Sequence, residues 1–511
     1  MALGRTYAIS LMGLTGAVVE IEADISSNLP AFVLIGLPDT ALGEAKDRVR
    51  AAATNSGCGL PNRKITVNLS PAALPKHGSG FDLAIALAAL AAAGSVSAES
   101  IERVLHLGEL GLDGRLRPIN GILPAVLAAR TAGFETVMVP TGSADEAALV
   151  PGIRVVAVAS LRDAAIWHGG RFDPVAVDAL VRADAATVDD DASDLADVIG
   201  NADAIEALIV AAAGAHHVFF LGPPGAGKTM LASRLPGLLP DLDPDAALEV
   251  ASVRSLAGLP VGGTLSTRPP FENPHHTASA AALIGGGSGL IRPGAAARAA
   301  HGVLFLDEAP EFASNVLDAL RQPLESGVIS IHRANAIAHF PGSFQLVLAA
   351  NPCPCGQYGA KESDCTCPPM ARRRYLGRLS GPLLDRIDIQ FRVQRITSAQ
   401  VRVSGQSPRM SSATARERVA AARAASAARL AHTPWSVNSQ VPGTWLRGPG
   451  ARLAPSVTAE IDRALERGGI TMRGYDRVLR LAWTIADLDG AVQPDAGHIG
   501  NALYLRRAIS S

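Results

Sequence analysis

Apolar and polar positions along this chain change their period several times. Val18 to Ile25 and Ala31 to Ile35 are β-branched runs that predict strands, and Asp39 to Thr54 has helical spacing with its charges on the outer face. Lys64 to Leu69 predicts another strand and Asp82 to Ala93 a helix. Gly108 to Pro118 holds the hairpin chemistry of Asp113-Gly114, followed by a helix near Pro124 to Thr131 and a strand at Thr136 to Val139. Residues 1–168 thus read as an α/β or α+β domain. Residues 169–200 are Ala/Asp-rich with no strong apolar period, and read as a linker leading into a helix near Asp203 to Gly214. From His217 to about Val393 strands and helices alternate again around Gly-rich loops. From Thr414 onward the pattern is helical, interrupted by a Pro/Gly-rich stretch from Thr433 to Pro455.

Composition bounds this picture. The chain of 511 residues predicts three or four domains, and with 48% hydrophobic and 18% charged residues it can bury large cores. A net charge of −1 gives no general attraction to nucleic acid or anionic lipid. From Arg372 to Ser511, however, 22 arginines stand against 10 acidic residues, so the last quarter is the candidate anion-binding surface. Five cysteines and no early apolar signal run argue against a secreted disulfide scaffold. The apolar stretches Leu83 to Val96 and Ala207 to Gly222 fall short of a membrane span. A soluble, cytoplasmic protein is expected.

The candidate chemistry begins at Val218, where an apolar strand runs into Gly222-Pro223-Pro224-Gly225-Ala226-Gly227-Lys228-Thr229 and a helix from Met230 to Leu239. Strand, G-x-x-x-x-G-K-T loop and helix occur in the order a phosphate loop requires. The glycines let backbone N–H groups face a β-phosphate, Lys228 would reach the β- and γ-phosphates of ATP, and the Thr229 hydroxyl would ligate Mg²⁺. A second apolar strand from Val303 ends in Asp307-Glu308, adjacent acids that a buried strand rarely carries without a use. Asp307 would hold Mg²⁺ through water and Glu308 would act as general base on the attacking water. A third strand, Phe344 to Ala350, ends at Asn351, which either senses the γ-phosphate or forms a turn before Pro352.

These motifs, with LFLDE, ALRQPLESG, AANPCPCG and SGPLLDRIDI, resemble the magnesium-chelatase-like AAA+ ATPases, and specifically the ComM/YifB branch. VLIGLPDTALGEAKDRVRAA, VNLSPAALPKHGSGFDLAIALA and GELGLDGRLRPINGILP extend the resemblance over nearly the whole chain. It implies an α/β multidomain protein with a Lon-protease-like N-terminal domain over 1–168, a P-loop AAA+ core over 201–395 and a small C-terminal helical lid domain over 396–511. It also implies a homo-oligomer, a hexameric ring with ATP shared between subunits. Arg386 matches the family's arginine finger, against the alternative of a surface salt bridge with Asp385 or Asp388. Arg473 matches its second sensor, with Arg477 and Arg480 as alternatives on a similar helical face. Active Lon-type proteases carry a serine where this chain has Gly80, so acyl-enzyme chemistry is not expected. Lys76 and His77 are expected on a solvated loop or against nucleic acid.

Cys353, Cys355, Cys365 and Cys367 form C-x-C…C-x-C, a spacing that suits structural Zn²⁺ or free, redox-active thiols. Gly327 to Gly342 reads as a hairpin, and where related AAA+ proteins project one toward the ring pore, His332 and Arg333 would contact DNA phosphates. Gly285 to Gly294 is a second candidate pore loop or a surface loop, and Arg402 to Arg429 a second DNA surface or a solvated helix face. The leading expectation is a Mg²⁺-dependent, ring-forming ATPase that moves along or remodels single-stranded or branched DNA, which the resemblance places in branch migration. The competing readings are the motor subunit of a magnesium chelatase, against which the extra N-terminal domain stands, and an ATP-gated protease or remodeller, against which Gly80 stands.

Overall fold

Ile65, Val67 and Leu69 are buried on Lys64–Ser70 while the residues between them are half-covered, the period-two pattern of a strand with one face on a core. The structure, a computed structural model, describes residues 3–36, 40–181, 193–287, 291–333, 336–358, 365–396 and 409–506. This strand belongs to a seven-stranded mixed sheet in the order Ala31–Ile35, Lys64–Ser70, Thr15–Ser26, Gly4–Met12, Leu105–His106, Thr136–Pro140, Arg154–Val158. Helix Asp82–Ala92 packs on Gly4–Met12 and Thr15–Ser26 and is buried from Asp82 to Ala91, as its all-round apolar sequence requires. Its one acid, Asp82, accepts two hydrogen bonds from Arg48 at 2.8 and 3.0 Å and one from the Leu110 N–H at 3.2 Å.

Lys76 departs from expectation. It is fully buried, and its Nζ donates to the carbonyls of Pro71 at 2.7 Å and of Gly36 and Leu74 at 2.9 Å. It therefore lies on no solvated loop and meets no nucleic acid. Ser79 bonds to Glu109, so Lys76 and Ser79 each have other partners and do not pair as a protease dyad.

The nucleotide-binding module is built on a five-stranded parallel sheet in the order Phe271–Glu272, Val303–Leu306, Gln345–Ala350, Val218–Leu221, Ile389–Arg392. Its central strands are buried throughout because both faces are covered. Val419, Leu479 and Ile499 from helices Ser412–Arg429, Met472–Leu488 and Ala496–Arg506 join Phe220 and Ile389 in one core, while Phe219 and Leu304 face Ile329 and Phe340 of the hairpin Val328–Arg333/Ala336–Pro341 on the other side. Of the expected linker, residues 182–192 lie outside the described residues, while Leu195 already sits in the nucleotide module's core and Asp194 accepts the Ser412 N–H at 3.1 Å. The N-terminal domain docks on helix Pro244–Ala257. The Ser255 carbonyl accepts the Gly121 N–H at 3.0 Å, and the Ser255 hydroxyl accepts the Leu123 N–H at 3.3 Å.

Candidate functional site

Strand register assembles the site. Leu221 pairs with Ala350 and Leu306 with Leu348, so Gly222, Asp307 and Asn351 leave the sheet at the same carboxyl edge. The phosphate loop then turns through Gly225 and Gly227 at φ of +75° and +88°, conformations glycine adopts freely, and delivers Lys228 as the first residue of helix Lys228–Leu238. Ala226 N–H closes the loop onto the Pro223 carbonyl at 3.2 Å, and Pro224 packs against Gly356 from the loop after Asn351. Met230 is partly exposed on the helix's first turn.

The polar groups converge. Lys228 Nζ donates to the Gly222 carbonyl at 2.7 Å, the Pro223 carbonyl at 3.1 Å and Asn351 Oδ1 at 3.1 Å, and burial lowers its pKa. Thr229 Oγ1 donates to Asp307 Oδ2 at 2.7 Å, and Asp307 Oδ1 accepts the Glu308 N–H at 2.9 Å. A hydroxyl beside a carboxylate is an all-oxygen donor set, which suits Mg²⁺. Glu308 is held at φ 50°, a left-handed conformation that costs a non-glycine residue about 1–3 kcal/mol and is found where function fixes a side chain's direction. Its Oε2 lies 3.3 Å from His276 Nδ1, a neighbour the sequence reading missed; the adjacent pair His275-His276 after a short strand was the available signal.

Arg386 and Arg473 stand apart from this group. Ile389 pairs with Val218 at the amino end of both strands, so Arg386 precedes the sheet at the edge opposite its own phosphate loop, about 13 Å of strand away. Its guanidinium pairs with Glu325, so the alternative salt bridge to Asp385 or Asp388 is not the one formed. Arg473, largely exposed, lies 3.7 Å from Asp385, and both arginines line a cavity of about 900 Å³ at that edge. The two alternatives to Arg473 line the same cavity: Arg477 pairs with Asp388, and Arg480 is half-buried with its Nε on the Val441 carbonyl at 2.7 Å.

The four cysteines come together. None is in a disulfide, their Sγ atoms all lie within 4.8 Å of one another, and Cys353, Cys355 and Cys365 are 3.3 to 3.7 Å apart. A tetrahedral ZnS₄ site with Zn–S near 2.3 Å has S···S edges of about 3.8 Å. The Tyr358 N–H donates to Cys353 Sγ at 3.4 Å. His332 and Arg333 are exposed at the end of the hairpin, whose residues 334–335 lie outside the described residues, as do residues 288–290 of the second candidate loop. In the candidate surface Arg402 to Arg429, residues 402–408 are likewise outside. Arg416, Arg418, Arg423 and Arg429 each bind a partner within the chain, at Asp241, Glu206, Ala212 and Asp487.

Comparison with known proteins agrees with this architecture. Three family models match: subunit ChlI of Mg-chelatase over residues 21–143, magnesium chelatase subunit ChlI over 194–401 and magnesium chelatase subunit ChlI C-terminal over 409–506. An uncharacterized protein of Mycobacterium tuberculosis is 49% identical over 99% of each chain. Competence protein ComM of Haemophilus influenzae is 40% identical over 100% of this chain and 98% of its own, and YifB of Escherichia coli 38% identical over 99% and 97%. The Lon protease of Mycolicibacterium smegmatis is 32% identical over 27% of this chain and 18% of its own.

Proposed function

The chain belongs to the ComM/YifB branch of the magnesium-chelatase-like AAA+ ATPases, and from that premise we propose that it is a Mg²⁺-dependent motor that hydrolyses ATP in a homo-oligomeric ring, a hexamer by resemblance, and acts on DNA. The observation that carries the reading is the convergence of Lys228, Thr229, Asp307, Glu308 and Asn351 at one sheet edge. Gly222 to Met230 would cradle the phosphates, and Thr229 directly and Asp307 through water would hold Mg²⁺, which would supply positive charge to offset that of the phosphates. Glu308 takes the proton of the water that attacks the γ-phosphorus, and Asn351 orients that water or reads the γ-phosphate. The distance of Arg386 from its own phosphate loop supports a finger that acts in the neighbouring protomer, with Arg473 beside it.

The domain bounds 1–168, 201–395 and 396–511 keep their roles in this reading, with the nucleotide module extended back to residue 194 by the packing of Leu195. DNA as substrate is supported by the exposed His332 and Arg333 and by the family resemblance. Zinc at Cys353, Cys355, Cys365 and Cys367 is supported by their spacing. No described helix is long and apolar enough to cross a membrane, which fits a cytoplasmic motor. The deciding experiment measures ATP turnover against single-stranded, duplex and branched DNA at two salt concentrations. Stimulation by single-stranded or branched DNA that falls steeply with salt is expected. Turnover indifferent to every DNA, or raised instead by a porphyrin and a chelatase partner, would overturn the DNA assignment.

A further inference from the structure

We propose that Arg477 and Arg506, from two lid helices, are positioning residues that set the Arg386 turn for hydrolysis in the neighbouring protomer's site. The inference rests on the reading of Arg386 as a finger. That turn runs from helix Gly381–Leu384 through Arg386, Ile387 and Asp388 into strand Ile389–Arg392. Three consecutive residues of it are gripped by the lid. The Arg386 carbonyl accepts Arg477 Nη1 at 3.2 Å, and the Ile387 and Asp388 carbonyls accept Arg506 Nη1 at 2.8 and 3.2 Å. The Asp388 carboxylate, almost fully buried, pairs with Arg477 and with His216 Nδ1 at 3.0 Å. His216 Nε2 in turn meets Thr484 Oγ1 at 2.8 Å, on the same lid helix as Arg477.

A lid needs no such clamp merely to stay attached. Val419, Leu479 and Ile499 already bury it against the sheet, and apolar contacts hold two elements together without the desolvation of a guanidinium. What the polar set adds is direction: with three successive carbonyls held, the backbone that aims Arg386 cannot turn independently of the lid. The lid also packs through Ser412–Arg429 on helix Lys228–Leu238, which opens with Lys228 of its own phosphate loop. One protomer's nucleotide, its lid and the arginine offered to the next protomer are therefore mechanically continuous, and the clamp is the joint between the last two.

Complementation in mixed rings tests this. Arg506→Met keeps the side chain's bulk and removes its donors. Rings of this variant alone should show KM for ATP near that of the wild type and kcat lowered about tenfold, with Arg506→Lys recovering part of the loss. In mixed rings, Glu308→Gln protomers have no turnover of their own but present an intact lid and Arg386, so turnover per Arg506→Met protomer should rise as their share increases. Arg386→Ala mixed with Glu308→Gln is run in parallel. If that control fails to rise, the finger reading falls and the clamp with it. A rise in the control without one for Arg506→Met, or wild-type kcat in Arg506→Met rings, overturns the clamp alone. Should Arg506→Met not assemble, Arg506→Lys enters the same mixtures and the same comparison decides.

Discussion

At the scale of single residues, the proposed function divides the site into groups that would bind and one that would react. Lys228 is satisfied three times over and Thr229 and Asp307 hold each other, whereas Glu308 lies beside His276 and keeps a left-handed backbone. Replacing Glu308 by Gln preserves the size and direction of the side chain but removes the base. ATP affinity is expected to stay within about twofold while kcat falls on the order of 10² to 10⁴, read from nucleotide titration and single-turnover hydrolysis. Unchanged hydrolysis would remove the base assignment. These residues were legible because phosphate chemistry dictates both type and spacing over a few positions. The Asp388, His216 and Arg477 set was not, since its members lie 89 and 172 residues apart and no local pattern joins them.

At the scale of elements, what sequence periodicity could see depended on which face carried the apolar side chains. Val218–Leu221 and Val303–Leu306 are apolar on both faces and stood out. Gly4–Met12 did not, because its inward face carries Thr6 and Ser10 beside Ala8, so a buried face reads as polar. The thiol loop was visible as spacing, and its place directly after Asn351 put it beside the nucleotide site; what the sequence could not show was the contact itself, Gly356 against Pro224. That contact makes the metal testable by more than composition. Purified protein should hold about one equivalent of zinc, and its removal by a chelator, or Cys353→Ser, should lower the melting temperature and weaken ATP binding together. Zinc below a tenth of an equivalent would end the claim, and zinc loss without effect on nucleotide affinity would confine it to the loop.

At the scale of the whole molecule, both halves hold neutral histidines. In the N-terminal domain Thr6, His106, His168 and Ser100 form a chain of hydrogen bonds of 2.7, 2.9 and 2.8 Å. Thr6 donates its proton to the Ile101 carbonyl at 3.1 Å. His106 Nδ1 must then donate to Thr6, and two neutral rings complete the chain with His168 Nε2 donating to His106 Nε2 and Ser100 to His168 Nδ1. Burial lowers His168 to about 4 and holds His106 well below its ordinary value. In the nucleotide module His217 Nδ1 accepts the Leu346 N–H at 3.0 Å, and burial lowers it to about 4. The unfolded chain binds protons at these rings below about 6.5 while the folded chain does not, so their contribution to stability is present above that pH and is lost as pH falls toward 4. Asp82 acts in the opposite sense, since burial raises its folded value to about 6 and protonation there favours the folded state. Three histidines against one carboxylate leave a net loss of stability as pH falls. Melting temperature should therefore fall from pH 7 to pH 4.5, and His168→Asn, in which the Asp82 effect cancels against the wild type, should flatten the slope. Parallel profiles for the two proteins would refute the neutral-ring account.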